Sequence, residues 1–298
     1  MTKGINPEIN ELLAMRYCAA ELQLFNPNKV NSVTNGINAS HARGRGMDFD
    51  EVRRYQAGDD IRLIHWPLTA RSGKTYTKVY HEERERSVYL LIDQSASMRF
   101  ATKVAFKSVI AARIAALLGW AALTQHQQVG GVVFDELGAE YIKPRRSRQS
   151  LLDVFNLLTY PRKNRQQGGL ANSLQFILRQ IQSGSTVIVL SDFCSLTSEA
   201  EQYLRLIAHK CELINLLIYD PLEASLPDRG IFSFTDNGSA RLEIGDTLQT
   251  KERYAEPFAK RVADLRNLSR QNRMQFMTLA TNDDLAAVLK AGVNRSGK

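Results

Sequence analysis

From Ser87 onward the chain alternates short apolar runs with segments of helical periodicity, and this alternation limits the fold more than any other feature. Residues 88–92 (VYLLI), 129–134 (VGGVVF), 186–190 (TVIVL), 213–219 (LINLLIY) and 274–279 (MQFMTL) read as buried strands, with 140–143 as a short further one. Residues 102–124, 147–158, 170–182, 198–209 and 251–271 read as helices, followed by a short one from Asp283. Strands that are apolar along their length need cover on both faces, so the pattern predicts an α/β fold with a mostly parallel sheet between helix layers.

The first 86 residues read differently. A helix is expected over residues 7–24, with Asn6 as its cap, Pro7 in the first turn and an apolar stripe of Ile9, Leu12, Leu13 and Tyr17. Residues 26–50 are polar and read as loop. Residues 51–85 hold short strand-like pieces and a turn signal at Ala57-Gly58-Asp59-Asp60, and Trp66 is expected to bury against the sheet with Ile61 and Ile64. The expected division is therefore 1–86, a helix, loop and short-strand extension packed on the core, and 87–298, the α/β domain.

Composition excludes several classes. With 44% apolar and 23% charged residues in 298, the chain is neither disordered nor collagenous nor a coiled coil. Cys18, Cys194 and Cys211 are odd in number and widely spaced, so they give no disulfide framework and no metal knuckle, which fits reduced thiols in a cytosol. No run approaches the ~20 apolar residues that span a bilayer; residues 104–123 are broken by Lys107, Ser108, Arg113 and Gly119 and read as a core helix. Glu8 and Glu11 stand where a signal peptide would be apolar, so neither an export signal nor an anchor is expected, and the expected location is cytoplasmic.

In parallel α/β sheets ligands bind beyond the carboxyl ends of the strands. After the first strand stands Asp93-Gln94-Ser95-Ala96-Ser97, and after TVIVL stands Ser191-Asp192. Asp93, Ser95 and Ser97 offer small oxygen groups at alternate positions of a tight loop, and Asp192 adds a second carboxylate. That set suits a hard divalent cation, while the same residues also serve as helix caps and turn formers.

DQSASM after VYLLI resembles the metal-ion-dependent adhesion site of von Willebrand factor A domains. The resemblance implies a doubly wound α/β fold with a divalent ion at the sheet edge, Mg²⁺ here, held by Asp93, Ser95, Ser97 and Asp192. It also implies a partner carboxylate that completes the coordination. The second loop of that pattern falls on Gly168-Gly169-Leu170-Ala171-Asn172, where Leu170 replaces the usual threonine. The lost hydroxyl predicts weak Mg²⁺ binding, and it places Leu170 with Asp93, Ser95, Ser97 and Asp192 at the expected partner-binding edge.

A more specific resemblance rests on residues 46–98 (GMDFDEVRRYQAGDDIRLIHWPLTARSGKTYTKVYHEERERSVYLLIDQSASM), 132–158 (VVFDELGAEYIKPRRSRQSLLDVFNLL) and 218–234 (IYDPLEASLPDRGIFSF). These are similar to the bacterial family known as domain of unknown function 58. His65 departs from it, since an aspartate commonly precedes the tryptophan. The resemblance implies an adaptor or chaperone-like partner of a MoxR-type AAA+ ATPase.

Two other functions stay open on the residues. Residues 143–165 hold seven basic groups (Lys143, Arg145, Arg146, Arg148, Arg162, Lys163, Arg165) against Asp153 alone, a pattern that binds phosphate backbones. The carboxylates after the strands also suit a metal-dependent hydrolase. Ser72-Gly73-Lys74-Thr75 lacks the P-loop's first glycine, Leu68 standing there, and is followed by strand-like TYTKVY. The five histidines show no ligand spacing, and no nucleophile elbow occurs. The expectation is a non-catalytic protein-interaction module.

Overall fold

The computed structural model describes residues 4–20, 22, 47–56, 58–82, 86–160, 168–226, 232–236, 240–244 and 248–295. The chain divides into two compact units, Met1–Asn26 with Arg86–Lys298, and Pro27–Glu85. The N-terminal helix thus belongs to the larger unit, not with the segment that follows it.

In that unit, α1 (Ile9–Ala19) is followed by β3 (Ser87–Asp93), α3 (Lys107–Thr124), β4 (Gln128–Phe134), β5 (Ala139–Arg145), α4 (Arg148–Thr159) and α5 (Leu170–Gln180). Then come β6 (Thr186–Ser191), α6 (Ser198–Lys210), β7 (Glu212–Tyr219), α7 (Pro221–Ala224), α8 (Leu248–Gln271), β10 (Gln275–Ala280) and α9 (Leu285–Arg295). The smaller unit supplies β1 (Met47–Arg54), α2 (Trp66–Ser72) and β2 (Tyr76–Glu82), and the pair β8 (Phe232–Asp236) and β9 (Ala240–Ile244) lies between α7 and α8 in sequence.

Six strands form one sheet in the order β10-β7-β6-β3-β4-β5. Every pairing is parallel except β4 with β5. This is the doubly wound arrangement expected from the sequence. Side chains alternate across the sheet: Val88, Leu90 and Ile92 join one apolar cluster, while Tyr89 and Leu91 join the other. The first cluster is closed by α1, α3, α4 and α9, the second by α5, α6 and α8.

Helix α3 is apolar around its circumference because it is enclosed on all sides, with fifteen buried residues. Among the described residues it alone has the length and apolar composition to cross a membrane, and most of it is buried inside the unit. Helix α1 packs beside it: Trp120 Nε1 donates to the Leu12 carbonyl (3.0 Å), and Arg113 pairs with Glu11 (2.7 Å).

In the smaller unit β1 and β2 pair antiparallel, with a bulge between Phe49 and Glu51. Residues 47–50, expected to be loop, are therefore strand, while 26–46 lie outside the described residues. Within this unit α2 is tied to β2 by backbone and polar contacts. His65 Nδ1 caps that helix by accepting from Leu68 N (3.1 Å), and Thr69 Oγ1 accepts from Tyr76 N (3.1 Å). An imidazole thus fills the acceptor role for which an aspartate is more usual.

Candidate functional site

The sheet changes winding direction between β3 and β6, since β4 follows β3 on one side and β7 follows β6 on the other. The carboxyl ends of β3 and β6 therefore flank the crevice where such sheets bind ligands. Ile92 pairs with Leu190, which sets Asp93 beside Ser191. Ser191 Oγ donates to Asp93 Oδ2 (2.5 Å), and Ser95 N donates to Asp93 Oδ1 (2.9 Å). Ser95 opens a 3-10 turn over Ala96–Met98, anchored by the fully buried Met98. Its hydroxyl lies 3.1 Å from that of Ser97.

Beyond β6 the chain turns sharply. Phe193 takes a left-handed conformation (φ 53°), a costly one for a bulky residue, and is 1% exposed in the second apolar cluster. The turn is braced by Phe193 N donating to Ser191 Oγ (2.9 Å) and Cys194 N donating to Asp192 Oδ1 (2.9 Å). Arg261 from α8 donates to the Asp192 carbonyl (3.2 Å) and lies against the Cys194 sulfur.

Asp192 meets Lys107, the first residue of α3. Lys107 Nζ lies 2.7 Å from Asp192 Oδ2 and 2.8 Å from Glu223 Oε1, and the lysine is 1% exposed. Glu223 is placed by a capping box on α7: its Oε2 accepts from Asp220 N (2.8 Å), while Asp220 Oδ1 accepts from Leu222 N (3.0 Å). Asp220 is fully buried and also accepts from the hydroxyls of Thr102 and Thr281, each at 2.7 Å. Four strand ends thus feed one polar network.

Charge is distributed unevenly in it. Burial pushes the Asp93 carboxyl up; its bonds from Ser191 and Ser95 offset only part of this, and the charge of Asp192 adds to the push. Burial acts the same way on Asp192, but the Lys107 ammonium outweighs it, aided by bonds from Cys194 N and Ser97, and holds Asp192 below the usual carboxylate value. For Lys107, burial disfavours the charge, yet Asp192 and Glu223 together raise it above an ordinary lysine.

Over this network lies an open cleft of about 230 Å³, lined by Ser95, Ser97, Glu136, Gly169, Cys194 and Ser195, with Phe134 and Asp135 completing its wall. Ala96 N donates to Glu136 Oε1 (2.6 Å) and Gly169 N to the Asp135 carbonyl (2.7 Å), so the loops are laced together.

Asp93, Ser95, Ser97 and Asp192 come together at this edge. Leu170 does not reach it. At the start of α5, behind Gly169 (φ 89°), Leu170 is 1% exposed and packs in the second apolar cluster, so it forms part of the floor under the loops rather than a partner-facing group. Lys107, Ser191, Asp220 and Glu223 were not singled out from the sequence as site residues. The signals were a lysine inside an apolar helix and Asp-Pro-x-Glu directly after a strand.

The fold resemblance implies a divalent ion, and among the described residues one group of possible ligands exists: Asp192, Cys194 and Glu223 bring ligand atoms within 4.8 Å of one another. Their surroundings do not fit Mg²⁺. The ammonium of Lys107 already contacts two of the three. Cys194 offers sulfur, whereas Mg²⁺ takes oxygen ligands. Both oxygens of Asp93 accept hydrogen bonds, and Leu170 offers none.

The basic groups of residues 143–165 lie elsewhere. Arg145 pairs with Val129 at the start of β4, whereas Ala139 pairs with Phe134 at its end, so Arg145, Arg146 and Arg148 cluster at the sheet edge opposite the cleft. Arg162, Lys163 and Arg165 lie outside the described residues.

Comparison with known proteins gives three findings. A family model described as "Protein of unknown function DUF58" matches residues 51–267. "Uncharacterized protein Rv1480" of Mycobacterium tuberculosis and "Uncharacterized protein Mb1516" of Mycobacterium bovis are each 25% identical over 270 residues, 89% of this chain and 84% of theirs. Among solved structures, a "conserved hypothetical protein BatB" from Bacteroides thetaiotaomicron aligns with a TM-score of 0.42 at 13% identity, over 71% of this chain and 98% of that one. A "von Willebrand factor type A" structure from Catenulispora acidiphila aligns at 0.39 and 13%, over 75% and 44%.

Proposed function

Given that the chain belongs to the family described as Protein of unknown function DUF58, we propose that it is a non-catalytic protein-interaction module docking a MoxR-type AAA+ ATPase through the cleft above Asp93 and Asp192. The observation that carries this reading is the state of the polar groups at the winding switch. Each carboxylate there is held by hydrogen bonds or by Lys107, and the serine hydroxyl bonded to Asp93, that of Ser191, is fully buried. No histidine lines the cleft. What remains is a rigid, laced rim with exposed Ser97, Glu136 and Ser195. The choice of partner is supported by the family resemblance, and a cytosolic location by the three free cysteines.

The test is binding of the purified chain to a MoxR-type ATPase from the same genome, measured by biolayer interferometry. Ser195→Arg and Glu136→Arg alter the rim and are expected to weaken binding more than tenfold, each by over about 1.4 kcal/mol. Arg146→Glu, at the opposite edge, is expected to leave it unchanged. If both rim variants bind like wild type, the cleft is not the docking surface.

A further inference from the structure

We infer that Lys107 is a resident cation: its ammonium occupies, within the fold, the point at which Asp192 and Glu223 would otherwise share a divalent ion. This deepens the docking reading, because a partner then needs no carboxylate to complete a coordination shell.

Three observations carry the inference. First, Lys107 Nζ sits 2.7 Å and 2.8 Å from oxygens of Asp192 and Glu223, two of the three groups that are otherwise close enough to share an ion. Second, the local helix does not favour a lysine there. It stands in the first turn of α3, where a positive charge opposes the helix dipole, and its side chain is 1% exposed. Third, the two carboxylates come from separate segments, just after β6 and in the short helix α7 that follows β7, and Glu223 is fixed by its own capping box. That convergence of oxygens on one point is what a cation site requires, and the ammonium satisfies it with directional N–H bonds.

A lysine that is merely one partner of a buried ion pair makes a different prediction from one standing in for an ion. Its removal only destabilises the fold. Removal of a stand-in also leaves Asp192 and Glu223 able to take up a real divalent ion. The test uses the chain alone, so its outcome is independent of any ATPase. Free Mn²⁺ is followed by electron paramagnetic resonance during titration of wild type, Lys107→Ala and Lys107→Ala/Asp192→Asn, and thermal melts are recorded with and without about 10 mM Mg²⁺.

Wild type is expected to show no saturable Mn²⁺ binding tighter than about 1 mM, and a Mg²⁺-dependent rise in Tm below about 1 °C. Lys107→Ala is expected to bind Mn²⁺ at about 0.1 mM. At that affinity, Mg²⁺ near a hundredfold Kd raises Tm by roughly 5–10 °C. Adding Asp192→Asn is expected to lower the gained affinity at least tenfold. Should Lys107→Ala need Mg²⁺ to fold, that dependence supports the inference. Failure to fold even in about 10 mM Mg²⁺ overturns it, as does a folded Lys107→Ala that takes up no Mn²⁺. Sub-millimolar binding by wild type that Asp192→Asn abolishes overturns it too.

Discussion

Lys107 and Asp192 form an ion pair of 2.7 Å in which both side chains are 1% exposed. A pair so enclosed behaves as a unit, since losing one member leaves the other charge without solvent. Lys107→Met is therefore expected to lower unfolding stability by about 3–5 kcal/mol, read from urea denaturation. Lys107→Met/Asp192→Asn is expected to lose clearly less than the sum of the single changes. An additive result would show that the two groups do not interact.

The same pair sets the pH dependence. With its folded value held down, Asp192 contributes stability that is present above its unfolded value, about 3.9, and is lost as pH falls through the lower folded one. Lys107, held up, contributes stability that is complete below about 10.4 and is lost as pH rises through its folded value. Denaturation midpoints of wild type should therefore fall more steeply than those of Asp192→Asn below about pH 4.

Asp93 has the opposite sign. Its folded value is raised, mainly by burial, so its contribution is greatest below the unfolded value and declines as pH rises through the folded one. Asp93→Asn keeps an acceptor for Ser95 N and supplies a neutral donor toward Ser191 Oγ. At pH 7 this variant should melt at or above the wild-type temperature, and a drop of several degrees would contradict the account.

Leu170→Thr tests the floor of the site. The leucine is 1% exposed in an apolar cluster, so threonine removes packed carbon and buries a hydroxyl. A loss of about 2–4 kcal/mol in chemical denaturation is expected, with no Mg²⁺-dependent stabilisation gained.

Gly168→Ala tests how the loops are laced. A Cβ there would stand 2.3 Å from the Asp135 carbonyl oxygen and 2.4 Å from Gly138 N, both backbone atoms that cannot swing aside. Overpacking of this kind costs about 1–3 kcal/mol, and the parted loops should weaken partner binding measured on the same protein.

Much of the architecture was legible because VYLLI and TVIVL are apolar along their whole length, as strands in a doubly covered sheet must be. The first half of β1 was not, because MDFD carries two acidic groups of the kind that sequence patterns assign to loops. β8 and β9 are only five residues each and carry little pattern. The convergence of Asp93, Ser95, Ser97 and Asp192 at one sheet edge was readable because they stand at or just after strand ends. Lys107 was not: its partners lie 85 and 116 residues further along, and nothing local distinguishes it from a solvated lysine that interrupts an apolar run. Leu170 was read as a defect in a coordination shell, whereas it is an ordinary core residue at the start of α5.

That separation along the chain has a consequence for biosynthesis. A nascent polypeptide that has emerged only as far as α5 carries Lys107 with neither of its counter-ions yet made. Seating the start of α3 at that stage would bury a lone ammonium, a heavy desolvation cost. The first turn of α3 is therefore expected to seat only after β6 and α7 have left the ribosome.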